Sequence, residues 1–277
     1  MQAQDRVRLG GENEAEEQPV IFIGHGDAKV AIEFDDWSEN LTTFLEKFPP
    51  PTAIVVLSAH WTTDSVIKIT SNALPDQLYE FEGFPEALNQ LTYPCDGDPE
   101  LAAMLADMLE NVGLEVILDE NRGIDHGAWI PLYIAFPNAD VPVIEISLPL
   151  NASPMQIMNI GTELTNLRKQ GVLLIGSGNL VFNLELADQT NKYKQVENWT
   201  LETDKWIDQQ LNDVNIEALL DYKKQMPNLK KAVPTLEHFL PLFFVLGAMK
   251  QKDHYITIYE GYHYGTVSMR CFAFTSR

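Results

Sequence analysis

One short stretch constrains this chain more than any other: Ala53–Trp61, reading AIVVLSAHW. Ile54 to Leu57 form an uninterrupted apolar run rich in β-branched residues, and Pro49-Pro50-Pro51 stands just before it. A short run bounded by a breaker is the pattern of a fully buried strand, although run length alone does not separate it from a buried helix segment. The run ends in Ser58-Ala59-His60. A histidine at the end of a buried strand is held rigidly at a sheet edge, and α/β proteins bind ligands outside the carboxyl ends of their strands. Upstream, Val20-Ile21-Phe22-Ile23 runs into Gly24-His25-Gly26. Two strands that each end in a histidine can aim two imidazoles at one point.

The rest of the chain alternates strand and helix. Helices are expected over Glu33–Phe48, from Asp98-Pro99 to about Val112, over Trp129–Phe136, over Ser153–Lys169, over Leu201–Leu211 and Ile216–Gln225, and over Thr235–Met249. Asp98 and Ser153 are N-cap residues followed by proline, and Gly113 and Gly171 are stops. Pro241 lies inside the last of these helices, which predicts a kink there. Further strands are expected at Val66–Thr70 (edge-like), Glu115–Leu118, Val141–Leu148 and Val172–Ile175, with a closing antiparallel pair at Tyr255–Tyr259 and Val267–Phe274. Residues 72–97 are irregular but carry Tyr79, Phe81, Phe84 and Tyr93. Such a segment reads as an ordered flap or as a loop tucked onto the core by its aromatics. Residues 119–129 read as a polar loop. The fold class is therefore α/β: a single domain over residues 19–277 with a central mixed β-sheet flanked by helices. Residues 1–18 read as a flexible acidic extension without the apolar region of a signal peptide.

Composition narrows the partners. The chain has 277 residues and a formal charge of −21. Like charge repels nucleic acid and anionic membrane surfaces at long range, so neither is expected as a partner. No apolar run approaches the length of a membrane span. Two cysteines, Cys95 and Cys271, are too few for a disulfide framework or a cysteine-rich zinc site, and they read as small half-buried hydrophobes. Their scarcity suggests a reducing, cytoplasmic compartment.

The six histidines carry the chemistry. His25, His60, His126 and His238 stand beside small residues at element termini or nearly so. His254 follows a charged stretch and reads as solvent-exposed, and His263 lies in Tyr262-His263-Tyr264, a turn between the last strands. Taken singly, each of the first four fits a hydrogen-bonded core histidine. Taken together they fit a metal site, because histidine is the commonest metal ligand and a set of neutral nitrogen donors with open positions suits zinc or non-haem ferrous iron. The spacings of 35 and 178 residues between His25, His60 and His238 match no local metal motif.

At these residues the chain resembles the extradiol dioxygenases of the LigB superfamily, in the branch similar to 4,5-DOPA extradiol dioxygenases. The matching pieces run in order: Phe22-Ile-Gly-His25-Gly, Val55-Val-Leu-Ser-Ala-His60-Trp61, Gly83-Phe-Pro85, Tyr93-Pro94, Asp125-His126-Gly-Ala-Trp129, Gly176-Ser-Gly-Asn179-Leu-Val, Pro234-Thr-Leu-Glu-His238-Phe-Leu-Pro241-Leu and Glu260-Gly. The resemblance implies a single α/β domain, a divalent metal (Fe2+, with Zn2+ in isolated proteins), and cleavage of a catechol-type aromatic ring by O2 beside its two hydroxyls. It places His25, His60 and His238 at the metal-ligand positions and His126 in the active-site loop, as a proton donor or substrate contact. Phe182, Asn183 and His263 are the expected substrate contacts.

One departure bears on the chemistry. Where the family continues Asn-Val-Val-His-Asn, this chain reads Asn179-Leu-Val-Phe182-Asn183. Phenylalanine neither ligates nor transfers protons. A smaller departure is Asp27-Ala28 where the family usually has Ser-Pro. Three functions follow as expectations: a ring-cleaving dioxygenase with an altered substrate or reduced activity, a metal-binding relative without ring cleavage, or a zinc-dependent hydrolase on the same scaffold.

Overall fold

The computed structural model describes residues 17–80 and 84–277. Its centre is an eight-stranded sheet in the order β4-β3-β5-β2-β6-β1-β10-β7. The strands are β1 (Val20–Gly24), β2 (Ala53–Thr63), β3 (Ile67–Thr70), β4 (Val116–Asp119), β5 (Val143–Pro149), β6 (Val172–Gly178), β7 (His254–Tyr259) and β10 (Cys271–Thr275). A short antiparallel pair, β8 (Tyr262–His263) and β9 (Val267–Ser268), forms a separate ladder. β5, β2, β6 and β1 run parallel, while β3 opposes β5 and β10 opposes both β1 and β7.

The central strands are apolar on both sides because helices cover both faces. Val20, Phe22, Val55 and Leu57 join one core, and their neighbours Ile21, Ile23, Ile54 and Val56 join the other. This is the period of two that a pleated strand imposes. The first core packs under α2 (Pro99–Glu110), α4 (Pro154–Leu164), α5 (Asn198–Asn212) and α9 (Pro241–Ala248). The second packs under α1 (Asp36–Leu45) and α3 (His126–Ala135). Between α5 and α9 lie three short helical segments, α6 (Ile216–Leu220), α7 (Tyr222–Gln225) and α8 (Leu229–Ala232). No helix among the described residues is long and apolar enough to cross a membrane.

Several elements differ from the sequence reading. β2 runs on past Ser58 to Thr63, so His60 lies within it. β3 is not at an edge; β4 pairs on its outer side. α1 is shorter than Glu33–Phe48 because Asp35 caps it, accepting from the Trp37 amide. α3 begins at His126, not after the polar loop, since the Asp125 carboxylate caps its first turn. The expected helix Thr235–Met249 forms only from Pro241 onward. Proline stands at its first turn, where the missing amide proton costs nothing, and the predicted kink is absent. The flap is packed: the Trp129 indole donates to Leu78 O and the Tyr79 hydroxyl to Leu91 O. Phe81 and Gly83 of that stretch lie outside the described residues, as do residues 1–16 of the expected extension. Gln18 is buried, donates to Pro49 O and exchanges hydrogen bonds with Arg168, so packed chain starts just before Pro19. His254 is exposed, and both cysteines are buried and free.

A buried charge network ties α5 to the β8–β9 pair. The Arg270 guanidinium donates to Asp204 Oδ2 at 2.6 Å and to Asp208 Oδ1 at 2.8 Å. The hydroxyls of Ser268 and Tyr262 donate to the Asp204 carboxylate as well. Replacing Asp204 leaves a buried guanidinium without its main partner. Asp204→Ala is therefore expected to lower unfolding free energy by about 3–5 kcal/mol, read from urea denaturation; an unchanged midpoint would show the network to be incidental.

Candidate metal centre

Register brings the site together. Ile23 of β1 and Ser58 of β2 both pair with Ser177 of β6, so the three parallel strands end level. His25 follows β1 directly. His60 sits where the β2–β5 ladder breaks: from Leu57 to Thr62 the chain advances five residues while β5 advances two, from Ile146 to Leu148. The surplus residues bulge, which re-aims side chains and breaks strand pairing. His238 arrives from the turn before α9, and its carbonyl accepts from the Asn179 amide at 2.9 Å. That carbonyl lies where a Cβ on residue 178 would stand, so glycine is required there.

The three imidazoles offer one nitrogen each within 4.8 Å of one another. His25 and His238 are 3% and 7% exposed. His25 Nε2 and His60 Nε2 are 3.2 Å apart. Nitrogens bound to one ion at about 2.0–2.1 Å lie about 2.8–3.4 Å apart for octahedral to tetrahedral angles. The observed separation therefore fits a shared cation. His238 Nδ1 is buried and has no hydrogen-bond partner among the described residues. Burial, and then the charge each ring would place on the others, holds His25 and His238 well below the ordinary imidazole pKa; burial and the His126 charge bring His60 to about 4. All three are neutral at physiological pH and present lone pairs, the state a metal requires.

His126 lies against this cluster, its ring 3.9 Å from that of His60. Its Nδ1 is 3.7 Å from Glu80 Oε2, and this contact is the first cause that holds the Glu80 carboxyl below its usual range. Behind them is a buried acid pair. Burial, and then the Asp125 charge, push the Glu145 carboxyl well above its usual range. Burial alone would raise Asp125 too, but hydrogen bonds from Glu145 and Ser58 and the charges of His60 and His126 hold it lower. Asp125 Oδ1 accepts from Ser58 Oγ at 2.8 Å and caps α3. Gly127 packs so closely that a Cβ would lie 2.7 Å from His60 Cδ2.

Phe182 stacks on His238, ring centroids 3.8 Å apart at 16°. It closes that side of the cluster with hydrocarbon. Asn183 uses both ends of its amide internally, donating to Lys231 O and accepting from the Leu186 amide. His263 is buried with Nε2 3.3 Å from Asp35 Oδ2, and its ring meets Tyr193 and Tyr264. The structure thus brings His25, His60, His238, His126 and Phe182 together and sets Asn183 and His263 into neighbouring frameworks. Glu80, Glu145 and the two serines were not foreseen. The signal for Glu145 was a lone carboxylate inside the apolar run Val141–Leu148.

Neutral burial has a consequence for pH. Unfolded imidazoles titrate near 6.5, whereas folded His60 titrates near 4. The unfolded chain binds more protons in that interval, so the stability of metal-free protein rises with pH through it and is lost as pH falls from 6.5 toward 4. His238→Phe is expected to flatten this slope, measured by urea midpoints across the window; a slope unaffected by the substitution would contradict neutral burial of the cluster.

Comparison with known proteins agrees with the geometry. Residues 19–272 match the family model described as the catalytic LigB subunit of aromatic ring-opening dioxygenase. The chain is 34% identical to a 4,5-DOPA dioxygenase extradiol of Beta vulgaris, over 97% of this chain and 100% of that protein. It is 31% identical to the 4,5-DOPA dioxygenase extradiol of Escherichia coli K12, over 91% and 92%. A crystal structure of an uncharacterised Escherichia coli K12 protein superposes with a TM-score of 0.76 at 28% identity, covering 93% of this chain and 100% of that one. With its three-histidine cluster suited to a metal ion, the chain belongs to the LigB family and is a metal-dependent enzyme of the extradiol dioxygenase type.

Proposed function

We propose that this enzyme opens a catechol-type ring with O2, using Fe2+ held by His25, His60 and His238. The observation that supports this most directly is the convergence of three neutral imidazoles, two buried and one half-buried, in a chain of this family. His25, His60 and His238 would hold the ion and leave it positions for other ligands, and a ferrous ion there would supply the redox chemistry between substrate and O2. The protein supplies the rest. His126, beside His60 and with its Nδ1 3.7 Å from Glu80 Oε2, is the side chain we assign to proton transfer with the substrate hydroxyl. Phe182 excludes water from the His238 side and offers a flat apolar surface to an aromatic ring.

The test is oxygen uptake after anaerobic loading with Fe2+, with DOPA, caffeate and protocatechuate as substrates. Consumption with at least one catechol is expected, and His126→Ala is expected to lower kcat by about 10²–10⁴. No uptake with any of them would overturn the reading. Activity that appears only in Phe182→His would instead identify the parent as a metal-binding relative without ring cleavage, the reading that Phe182 favours. Hydrolysis by the zinc-loaded protein in place of oxygen uptake would identify the hydrolase.

A further inference from the structure

His25 is held by a hydroxyl relay whose direction the geometry determines. Its Nδ1 lies 2.9 Å from Ser177 Oγ, and the same Oγ lies 2.5 Å from Gly127 O. A carbonyl oxygen only accepts, and a serine hydroxyl has one proton. That proton is therefore given to Gly127 O, and toward His25 the hydroxyl oxygen accepts. His25 must then carry its proton on Nδ1, which leaves the lone pair on Nε2, the atom 3.2 Å from His60 Nε2. Ser177 is wholly buried, so water does not substitute for it.

The relay reaches further than one ligand. Gly127 follows His126 in the first turn of α3. Ser58, paired in register with Ser177, reaches the same turn from the neighbouring strand by donating to Asp125 Oδ1, while its Oγ also accepts from the His60 amide at 3.2 Å. Two adjacent serines thus pin the strand segments bearing His25 and His60 to the helix start bearing His126.

We propose that Ser177 is a positioning residue of the metal centre: it holds His25 in the Nδ1–H tautomer with Nε2 turned to the ion, and with the same hydroxyl fixes the turn that carries His126. This rests on the metal-binding reading above. Hydrogen bonds in such a chain polarise one another, so the Gly127 carbonyl strengthens the grip of the hydroxyl on the imidazole. Partners of this kind orient ligating histidines and raise their basicity.

The test uses the full chain stripped of metal and titrated with Zn2+ against a chromophoric chelator. Ser177→Ala is expected to weaken Zn2+ binding about 10- to 100-fold, whereas Ser177→Thr, which keeps the hydroxyl, retains affinity near the parent's. In zinc-loaded parent protein carrying 15N-labelled histidine, NMR should show the His25 ring proton on Nδ1, with slow exchange that Ser177→Ala abolishes. Unchanged Zn2+ affinity in a folded Ser177→Ala protein overturns the proposal. So does a His25 proton on Nε2 in the parent, a result that needs no variant to fold. A parent that takes up no Zn2+ overturns the metal reading itself, which separates that failure from a failure of the relay.

Discussion

The parallel register of β1, β6 and β2 is the constraint on which the rest depends. Because Ile23, Ser177 and Ser58 stand side by side across three strands, everything that follows them emerges at one height on one sheet edge. A slip of a single residue would turn each side chain to the opposite face. It would separate His25 from His60 and send the two serines into the wrong core. The apolar alternation that fills both cores holds this register, so the hydrophobic cores and the metal centre share one determinant.

Convergence alone would be costly. Three imidazoles and two carboxyl groups packed into a dry sheet edge would repel or demand water if charged. The structure meets this by keeping the imidazoles neutral and by pushing the Glu145 carboxyl above its usual range beside Asp125. Asp125 faces the cap of α3 and the Ser58 hydroxyl. Neutral donors backed by this acid pair form a site ready for a cation. A bound ion would also stabilise the fold, since it binds only when the cluster is assembled.

Beside β1, where the Gly24 amide donates to Arg270 O, the Arg270 network holds the β8–β9 pair against α5. Phe182 bridges to Val267 of that pair, which in turn pairs with His263. Phe182 thus belongs to two structures at once: the wall of the metal cluster and the ladder that closes the fold. A different side chain at this position would change the chemistry of the wall without disturbing the ladder, because ladder bonds are made by the backbone.

Much of this was legible in the residues. Short β-branched runs, the Asp98-Pro99 and Ser153-Pro154 helix starts and the stops at Gly113 and Gly171 are local signals, set by sterics and capping within a few residues. The α/β class and the histidines as ligand candidates followed from them. What local pattern misjudged lay where distant contacts decide. Pro241 starts a helix instead of kinking one, because residues 235–240 turn to carry His238 over Gly178. His126 became helical because Asp125, anchored by Ser58, caps it. By itself the sequence determined the α/β class, the central buried strands and which residues can bind a metal. Only the tertiary structure decided that the three imidazoles meet, which nitrogen of His25 faces His60, and that the Glu145 carboxyl is pushed above its usual range, since each depends on groups far apart in the chain that come within a few ångströms only when the sheet is assembled.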